Sequence, residues 1–206
     1  LSRSRHMTGD VNWAVAKKGY GYGFSTNGIL NAPIGTKAYG ATDDFTMEFW
    51  FKSIGVNECM VSTGSYNTLL ETGNLDAWSI GLDAQGHISI DHNLNSGSTL
   101  LMTSNTPFND GLWHHLSIVK NAKSTTTLFV DGVEQASSSS ELTRGFGSPQ
   151  LTLGAKQYRN SADYEYSEYF SGKIDEFRLW NLKRNFSQLD RFKNIRLNGT
   201  ELGLDV

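Results

Sequence analysis

The sequence is short of cysteine and of long apolar runs, and these shortages exclude several classes of protein. Cys59 is the only cysteine among 206 residues, so no disulfide can form within the chain. No apolar run approaches the roughly 20 residues that a membrane-spanning helix needs, so we expect no membrane insertion. Neither sign of charge is in large excess. The net charge of −3 gives no reason to expect nucleic acid or an anionic membrane as a partner.

Glycine and aromatic residues are abundant instead. The 21 glycines, 11 phenylalanines and 8 tyrosines suit many short strands joined by tight turns. Residues 1–7 (LSRSRHM) resemble a tag left by a cloning junction, so we exclude them from the fold prediction. The length of the remaining chain fits one all-β domain.

Residues 109–135 show the clearest pattern of strands and turns in the chain and predict an antiparallel meander. Apolar and polar residues alternate in both halves of the stretch, which is the pattern of strands with one buried face. Asp131-Gly132 predicts a type I′ hairpin turn, because that turn needs positive φ at both central residues. His114 and His115 are consecutive in a strand, so they point to opposite faces and cannot chelate one ion. We therefore interpret this stretch as scaffold.

The run FTMEFWFK at residues 45–52 predicts the clearest single strand. Alternation places four large apolar side chains on one face, and each stabilises the fold by about 1.5–3 kcal/mol when buried: Phe45, Met47, Phe49 and Phe51. Trp50 falls on the other face. There it is either covered by a loop or available to stack a ligand, and we favour the cover.

Glycine alternates with aromatic residues in GYGYGF at residues 19–24. This leaves Tyr20, Tyr22 and Phe24 on one side of a strand and no side chain on the other. We interpret the run as a place where another backbone approaches closely or the strand bends, in preference to a ligand platform.

The remaining strand candidates recur at intervals of roughly 8–12 residues, which is typical of a sandwich. Ser187–Ile195 is the helical candidate, with Ser187 as the N-cap and apolar residues at helical spacing. The sequence therefore predicts an all-β fold, a two-sheet antiparallel sandwich with one short C-terminal helix.

Three segments, taken in order, resemble the LamG-like jelly-roll domains of the concanavalin A-like lectin/glucanase superfamily: FTMEFWFK (45–52), GLWHHLSIVKN…TTLFVDGVEQAS (111–137) and LTLGA…FSGKIDEFRLWN (151–181). The resemblance covers residues 24–198. It implies two curved antiparallel sheets in a secreted or cell-surface protein. Such domains are often one module of a long chain, so we expect residues 8–206 to be a single domain excised from a larger multidomain protein.

The resemblance also implies a calcium site. Family members frequently bind calcium through the aspartate of a motif that corresponds to GKIDE here, which makes Asp175 the expected ligand. An early family aspartate is replaced by Ser25, and Asn27 is the candidate to compensate. Alternation along the strand places Asp175 on the same face as Phe177 and Leu179, and an inward carboxylate needs either hydrogen-bond donors or a cation. Both possibilities remain open.

Residues 156–169 (KQYRNSADYEYSEY) form the most unusual segment, a charged insertion without clear periodicity. Aromatic faces that stack on sugar C–H surfaces, beside charged groups for the hydroxyls, are what a glycan site needs. The candidate ligand-binding residues are Tyr158, Arg159, Asp163, Tyr164 and Tyr166. Tyrosines also anchor long loops to sheets, so anchoring stays open beside ligand contact.

Catalysis is not expected. Glucanases of the superfamily place their carboxylates at alternating positions of one strand, and a retaining enzyme holds two of them about 5–5.5 Å apart. Asp163 and Glu165 can share a face, but Glu168 points away and the order differs. We predict a non-catalytic extracellular recognition module that binds a glycan or cell-surface glycoconjugate, within an adhesin, a fibre or a polysaccharide-acting protein. The alternative is a protein-binding or structural spacer module.

Overall fold

The computed structural model describes residues 6–33, 43–63, 66–67, 77–94, 97–122, 125–139, 150–160 and 163–204. Within these ranges the chain forms seventeen strands and one helix. In chain order they are β1 His6–Thr8, β2 Val11–Val15, β3 Tyr20–Phe24, β4 Ile29–Pro33, β5 Phe45–Ser53, β6 Glu58–Thr63, β7 Tyr66–Asn67, β8 Ala77–Leu82, β9 His87–Leu94, β10 Gly97–Pro107, β11 His114–Asn121, β12 Thr125–Val130, β13 Val133–Ser138, β14 Gln150–Leu153, β15 Lys156–Asn160, β16 Asp163–Ser167, β17 Gly172–Trp180 and α1 Phe186–Phe192.

Two seven-stranded antiparallel sheets make up the fold, which confirms the predicted all-β jelly roll. The first sheet has the order β1-β4-β14-β6-β8-β9-β10, and the second has the order β13-β12-β11-β5-β17-β3-β2. A small third sheet has the order β16-β15-β7. In the part of the chain that is described, no helix has the length and apolar character needed to cross a membrane.

The core lies between the two large sheets and is built on β5. Its four core-facing side chains are at most 1% exposed, as the alternation predicts: Phe45, Met47, Phe49 and Phe51. Leu116 and Ile118 of β11 pair directly beside two of them. Trp78, Ile80 and Leu82 of β8 close the core from the other sheet, where they are buried as well. A slip of one residue would turn these side chains outward, so the register of β5 is tightly specified.

The Asp131-Gly132 turn joins β12 to β13 as predicted, with φ of 53° and 85° at its two central residues. One carboxylate oxygen of Asp131 also accepts a hydrogen bond from the backbone N–H of His115 at 2.8 Å, and the other lies 2.7 Å from Nδ1 of His114. On the far side of the ring, Nε2 of His114 lies 3.0 Å from a carboxylate oxygen of Asp110. The hydrogen bond with Asp131 raises the pKa of His114, burial opposes that rise, and Asp110 reinforces it.

Strand β17 contains a bulge that overturns one prediction. Asp175 pairs with Trp50, and regular pairing resumes only three residues further along β17. The extra residue is accommodated at Glu176, which has φ of 51°. Asp175 therefore lies on the outer face with Trp50, whereas Phe177 packs against the core. The prediction that Asp175 shares the face of Phe177 and Leu179 is wrong, because the bulge shifts the alternation by one residue.

The C-terminal segment, residues 181–204, covers the outer face of the second sheet. Its helix α1 begins after Asn185, which accepts a hydrogen bond from the backbone of Gln188 and donates its own backbone N–H to the Gln188 side chain. The helix is confirmed, but the predicted N-cap Ser187 is wrong. The indole N–H of Trp50 donates to the carbonyl of Lys193 at 3.0 Å, and Trp50 is only 7% exposed. The predicted cover of Trp50 is therefore confirmed.

A buried ionic network ties this cover to the sheet. Glu48 is fully buried, accepts from the indole N–H of Trp180 at 2.9 Å and lies 3.3 Å from Nε2 of His115. Arg178 lies 3.6 Å from the Glu48 carboxylate and donates to two carbonyls of the C-terminal segment, at 2.6 and 2.7 Å. Burial acts to raise the pKa of Glu48, but its three polar neighbours outweigh burial and hold that pKa below its usual range.

Candidate functional site

The five predicted ligand-binding residues lie in a β-hairpin of β15 and β16, so the expectation that this segment is a loop is wrong. The hairpin contains Tyr158, Arg159, Asp163, Tyr164 and Tyr166. Arg159 and Tyr164 pair directly across the two strands. Of the five side chains, only that of Tyr166 belongs to the described part of the structure. The sequence pattern did not predict this hairpin, because two short strands rich in tyrosine and charged residues show no apolar face.

Tyr166 anchors the hairpin to the outer face of the first sheet. Its hydroxyl oxygen accepts from the side-chain amide of Asn31 at 3.1 Å, and Asn31 accepts in turn from the hydroxyl of Thr152 at 2.7 Å. At the base of the hairpin, the backbone N–H of Gln157 donates to the hydroxyl of Ser62 at 3.1 Å. Of the two interpretations left open by the sequence, anchoring therefore describes Tyr166.

Cys59 lies beneath the end of the hairpin. Its backbone N–H donates to the carbonyl of Glu168 at 2.6 Å, and the residue forms a bridge with Tyr169. Burial raises the pKa of its thiol far above the usual value. Because the thiolate is the reactive form, this buried thiol is chemically inert.

Beside the hairpin, a groove of about 400 Å³ lies on the outer face of the first sheet. Cross-strand pairs of β9 and β10 form its floor, and the two ends of the hairpin form one wall; these residues are Ser89, Asp91, Leu100, Thr103, Lys156 and Glu168. Leu100 is 58% exposed and supplies an apolar surface between the polar groups.

The charges of the groove are concentrated where the hairpin meets the sheet. Nζ of Lys156 and a carboxylate oxygen of Glu168 lie 3.0 Å apart and form an ion pair. Burial raises the pKa of Asp91, the Lys156 ammonium opposes the rise, and the Glu168 carboxylate adds to it. The groove thus combines carboxylates, an ammonium, hydroxyls and one apolar side chain, which is the chemistry that a polyhydroxylated ligand requires.

The groove residues of β9 were not singled out by the sequence reasoning, although the signal was present. Ile88 and Ile90 are fully buried in the core, so Ser89 and Asp91, which alternate with them, face outward. Which outward residues would lie beside the hairpin depends on the sheet order, and alternation along one strand contains no information on that order.

The two predicted calcium ligands do not fit one calcium ion in the described structure. Both oxygens of Asp175 already accept backbone hydrogen bonds, from Lys18 at 2.7 Å and from Glu176 at 2.8 Å. Burial raises the pKa of Asp175, which disfavours its charged form. Asp175 lies beside Gly21, near the start of β3, whereas Asn27 follows the other end of that strand. Among the described residues, no three acidic, histidine or cysteine side chains are grouped closely enough to hold a metal ion.

Comparison with known proteins supports the resemblance found in the sequence. The laminin G family model, which is described as concanavalin A-like lectin/glucanases superfamily, matches residues 25–189. A curated relative in Rattus norvegicus, the sushi, von Willebrand factor type A, EGF and pentraxin domain-containing protein 1, is 25% identical over 167 residues. That match covers 79% of this chain, and the chain spans 4% of the length of that relative.

Solved structures show the same fold. Domain 4 of AbnA, a GH43 extracellular arabinanase from Geobacillus stearothermophilus, in complex with arabinotriose, is 17% identical with a TM-score of 0.66, over 89% of this chain and 81% of that one. A heptameric SAP-like pentraxin from Limulus polyphemus is 14% identical with a TM-score of 0.59, over 88% and 86% of the two chains. At these identities the likeness concerns the fold alone.

Proposed function

The chain belongs to the concanavalin A-like lectin/glucanases superfamily as a laminin G-like module, and from this membership we propose that it is a non-catalytic carbohydrate-binding module. Its partner is a glycan or a cell-surface glycoconjugate, and the module acts in a secreted or cell-surface protein. Calcium is implied by the family resemblance alone, its two predicted ligands do not lie together in the described structure, and no step of the binding proposal depends on it.

The groove beside the hairpin is the observation that carries this proposal. A sugar presents hydroxyls at its edge and C–H groups on its faces, so it needs hydrogen-bonding partners beside an apolar contact. Ser89, Asp91 and Thr103 supply the hydrogen-bonding partners, and Leu100 supplies the apolar contact. The hairpin of β15 and β16 also contains the four other residues that the sequence predicts as ligand contacts: Tyr158, Arg159, Asp163 and Tyr164.

The arabinanase domain in complex with arabinotriose supports a short sugar chain as the ligand class. The groove volume of about 400 Å³ is within the range of small-ligand sites, which is roughly 300–1,000 Å³. A groove of this size holds a few sugar rings, and a longer polysaccharide would bind through one stretch of its length.

Isothermal titration calorimetry with arabinotriose and a panel of soluble oligosaccharides tests the proposal. We expect Asp91→Asn and Leu100→Ser each to raise Kd about tenfold, the effect of losing one contact near 1.4 kcal/mol. Leu112→Ser is the matched control, since Leu112 is 61% exposed and does not line the groove. Unchanged affinity in both groove variants, and in Tyr164→Ala combined with Tyr166→Ala, would contradict the proposal. Self-association in sedimentation without any sugar affinity would favour the protein-binding or spacer alternative.

One observation favours a second candidate function, glycoside hydrolysis. Asp91, with its raised pKa, shares the groove with the carboxylate of Glu168, and glycosidases use two carboxyls of which one is kept protonated. Release of reducing sugar that disappears in both Asp91→Asn and Glu168→Gln would support hydrolysis. Binding without any product in mass spectra would support the non-catalytic module.

A further inference from the structure

Two large aromatic side chains are exposed at the edge of the sandwich opposite β9 and β10. Trp13 of β2 pairs with Tyr22 of β3, and their ring centroids lie 4.7 Å apart at an interplanar angle of 30°. Tyr20 lies on the same side of β3 as Tyr22, because Gly21 separates them. Trp13 is 61% exposed and Tyr20 is 71% exposed.

These side chains border a cleft of about 240 Å³ between the two sheets. Its inner wall is apolar and comes from core-facing residues of β4, β14 and β17: Leu30, Leu151, Leu153, Ile174 and Phe177. Asp175 and Glu176 border the same cleft at the bulge of β17. The volume falls below the roughly 300–1,000 Å³ of sites for drug-sized ligands, so the cleft admits one ring-sized group.

The glycines of GYGYGF explain how the aromatic residues are presented. A Cβ on Gly21 would lie 2.8 Å from the carbonyl oxygen of Ile174 and 3.1 Å from Oδ1 of Asp175. Glycine therefore lets β3 pack tightly beside β17, as predicted from the sequence, and every side chain of this run is directed to the cleft side. The glycines serve close packing, and Tyr20 is exposed on the cleft side.

Glu176 borders the cleft at the bulge of β17. Glu176 occupies the bulge with φ of 51°, a conformation that non-glycine residues seldom adopt. One of its carboxylate oxygens accepts from Nη2 of Arg178 at 2.6 Å. Because Arg178 also donates to the C-terminal segment on the outer face of the second sheet, this ion pair holds the Glu176 carboxylate away from the cleft.

We propose that Trp13 and Tyr20 form a second sugar-binding site, which takes one pyranose ring of a neutral glycan. Tyr22 blocks one face of the Trp13 indole and leaves the other face to solvent. A single open aromatic face is a stacking platform for the C–H face of a sugar ring. An aromatic cage for a cation would need rings spaced around the guest, and rings whose centroids lie 4.7 Å apart leave no room between them.

This proposal rests on the proposed carbohydrate-binding function. With a second site, the domain is bivalent. The groove lies on the outer face of the first sheet, whereas the platform lies at the opposite edge of the sandwich. Two weak sites on one rigid domain bind a multivalent glycan more tightly than either site alone. A glycan displayed densely on a surface should therefore be retained better than the same sugar in solution.

Fluorine NMR of protein labelled with 5-fluorotryptophan tests the platform directly. The five tryptophans give five signals, and Trp13→Phe identifies the one from Trp13. Trp50, Trp78 and Trp180 are buried and serve as internal controls. We expect titration with the same oligosaccharides to shift the Trp13 signal and leave these three in place. Trp13→Ala should raise Kd at this site about tenfold, whereas Leu112→Ser should leave it unchanged.

The outcomes separate the two sites. Calorimetric binding that leaves the Trp13 signal unmoved would overturn the platform and keep the groove. Binding that survives Asp91→Asn and Leu100→Ser but is lost in Trp13→Ala would support the platform and refute the groove. Absence of binding to every oligosaccharide would refute both. Self-association that Trp13→Ala abolishes would show that a second copy of the chain occupies the platform, which also overturns the proposal.

Discussion

Loss of the Arg178 guanidinium should release the C-terminal segment from the second sheet and destabilise the fold strongly. Arg178 is only 3% exposed, its contact with Glu48 is buried, and its two hydrogen bonds to carbonyls of that segment are partly buried. Removing one member of a buried ion pair leaves the other uncompensated, so Arg178→Met should lower the free energy of unfolding by about 3–5 kcal/mol. For a domain of this size that loss corresponds to a fall in Tm of roughly 6–20 °C.

A double-mutant cycle with Glu48→Gln isolates the ion pair. Urea denaturation followed by tryptophan fluorescence gives the free energy of unfolding of each variant. The double variant should be more stable than the sum of the single effects predicts, by about 0.5–3 kcal/mol, because no buried charge is left unpaired. Asp190→Asn is the control, since it removes one charge of an exposed ion pair in the same segment and should cost less than about 1 kcal/mol.

Two results would refute the role of Arg178 in anchoring the C-terminal segment to the second sheet. Strict additivity in the cycle would show that Glu48 and Arg178 do not interact, and a cost for Arg178→Met no larger than that of Asp190→Asn would show that the segment needs no anchor. The pH dependence gives an independent check. The pKa of Glu48 is lowered in the folded state, so its contribution is present above its usual pKa of 4.5 and is lost as pH falls through the folded value. Wild type and Glu48→Gln should therefore converge in stability in acid.

Three further predictions concern the helix cap, a histidine and calcium. Asn185→Ala should cost about 1 kcal/mol in urea denaturation, whereas Ser187→Ala, at the mispredicted cap, should cost little; equal costs would contradict the capping geometry. The raised pKa of His114 means that its stabilisation is complete below the usual value of 6.5 and fades as pH rises through the folded value, so Tm of wild type and His114→Gln should differ most in mild acid. Because Asp175 already accepts two backbone hydrogen bonds, Tm in calcium and in chelator should coincide; a rise in calcium that Asp175→Asn abolishes would restore the calcium prediction.

The sequence predicted those parts of the fold in which one physical pattern decides the outcome. The alternation in β5 determined which four side chains enter the core, since only one of the two faces is apolar. Asp131-Gly132 determined the β12–β13 turn, because few other residue pairs tolerate positive φ twice. The cover over Trp50 could be expected because an indole is costly to leave in water.

The wrong predictions share a cause, which is that a local pattern was extended past a point where tertiary structure changes it. The bulge at Glu176 moved Asp175 to the outer face, and no composition signal marks that residue for positive φ. Asn185 was passed over as N-cap because Ser187 also suits the position by residue type. The groove and the aromatic cleft depend on which strands become neighbours, and strand order is a long-range property that alternation does not encode.

The single thiol beneath the hairpin can serve as a probe of how often this part of the domain opens. The Sγ–H of Cys59 donates to the carbonyl of Val61 at 3.3 Å, and the backbone N–H is bound to Glu168, a wall residue of the groove. A thiol reagent can therefore react only when that wall lifts or the whole fold opens, and its reaction rate reports the frequency of such openings. A cysteine placed at Leu100 would be the one fast-reacting thiol, so a reporter dye could be attached beside the groove with Cys59 left in place.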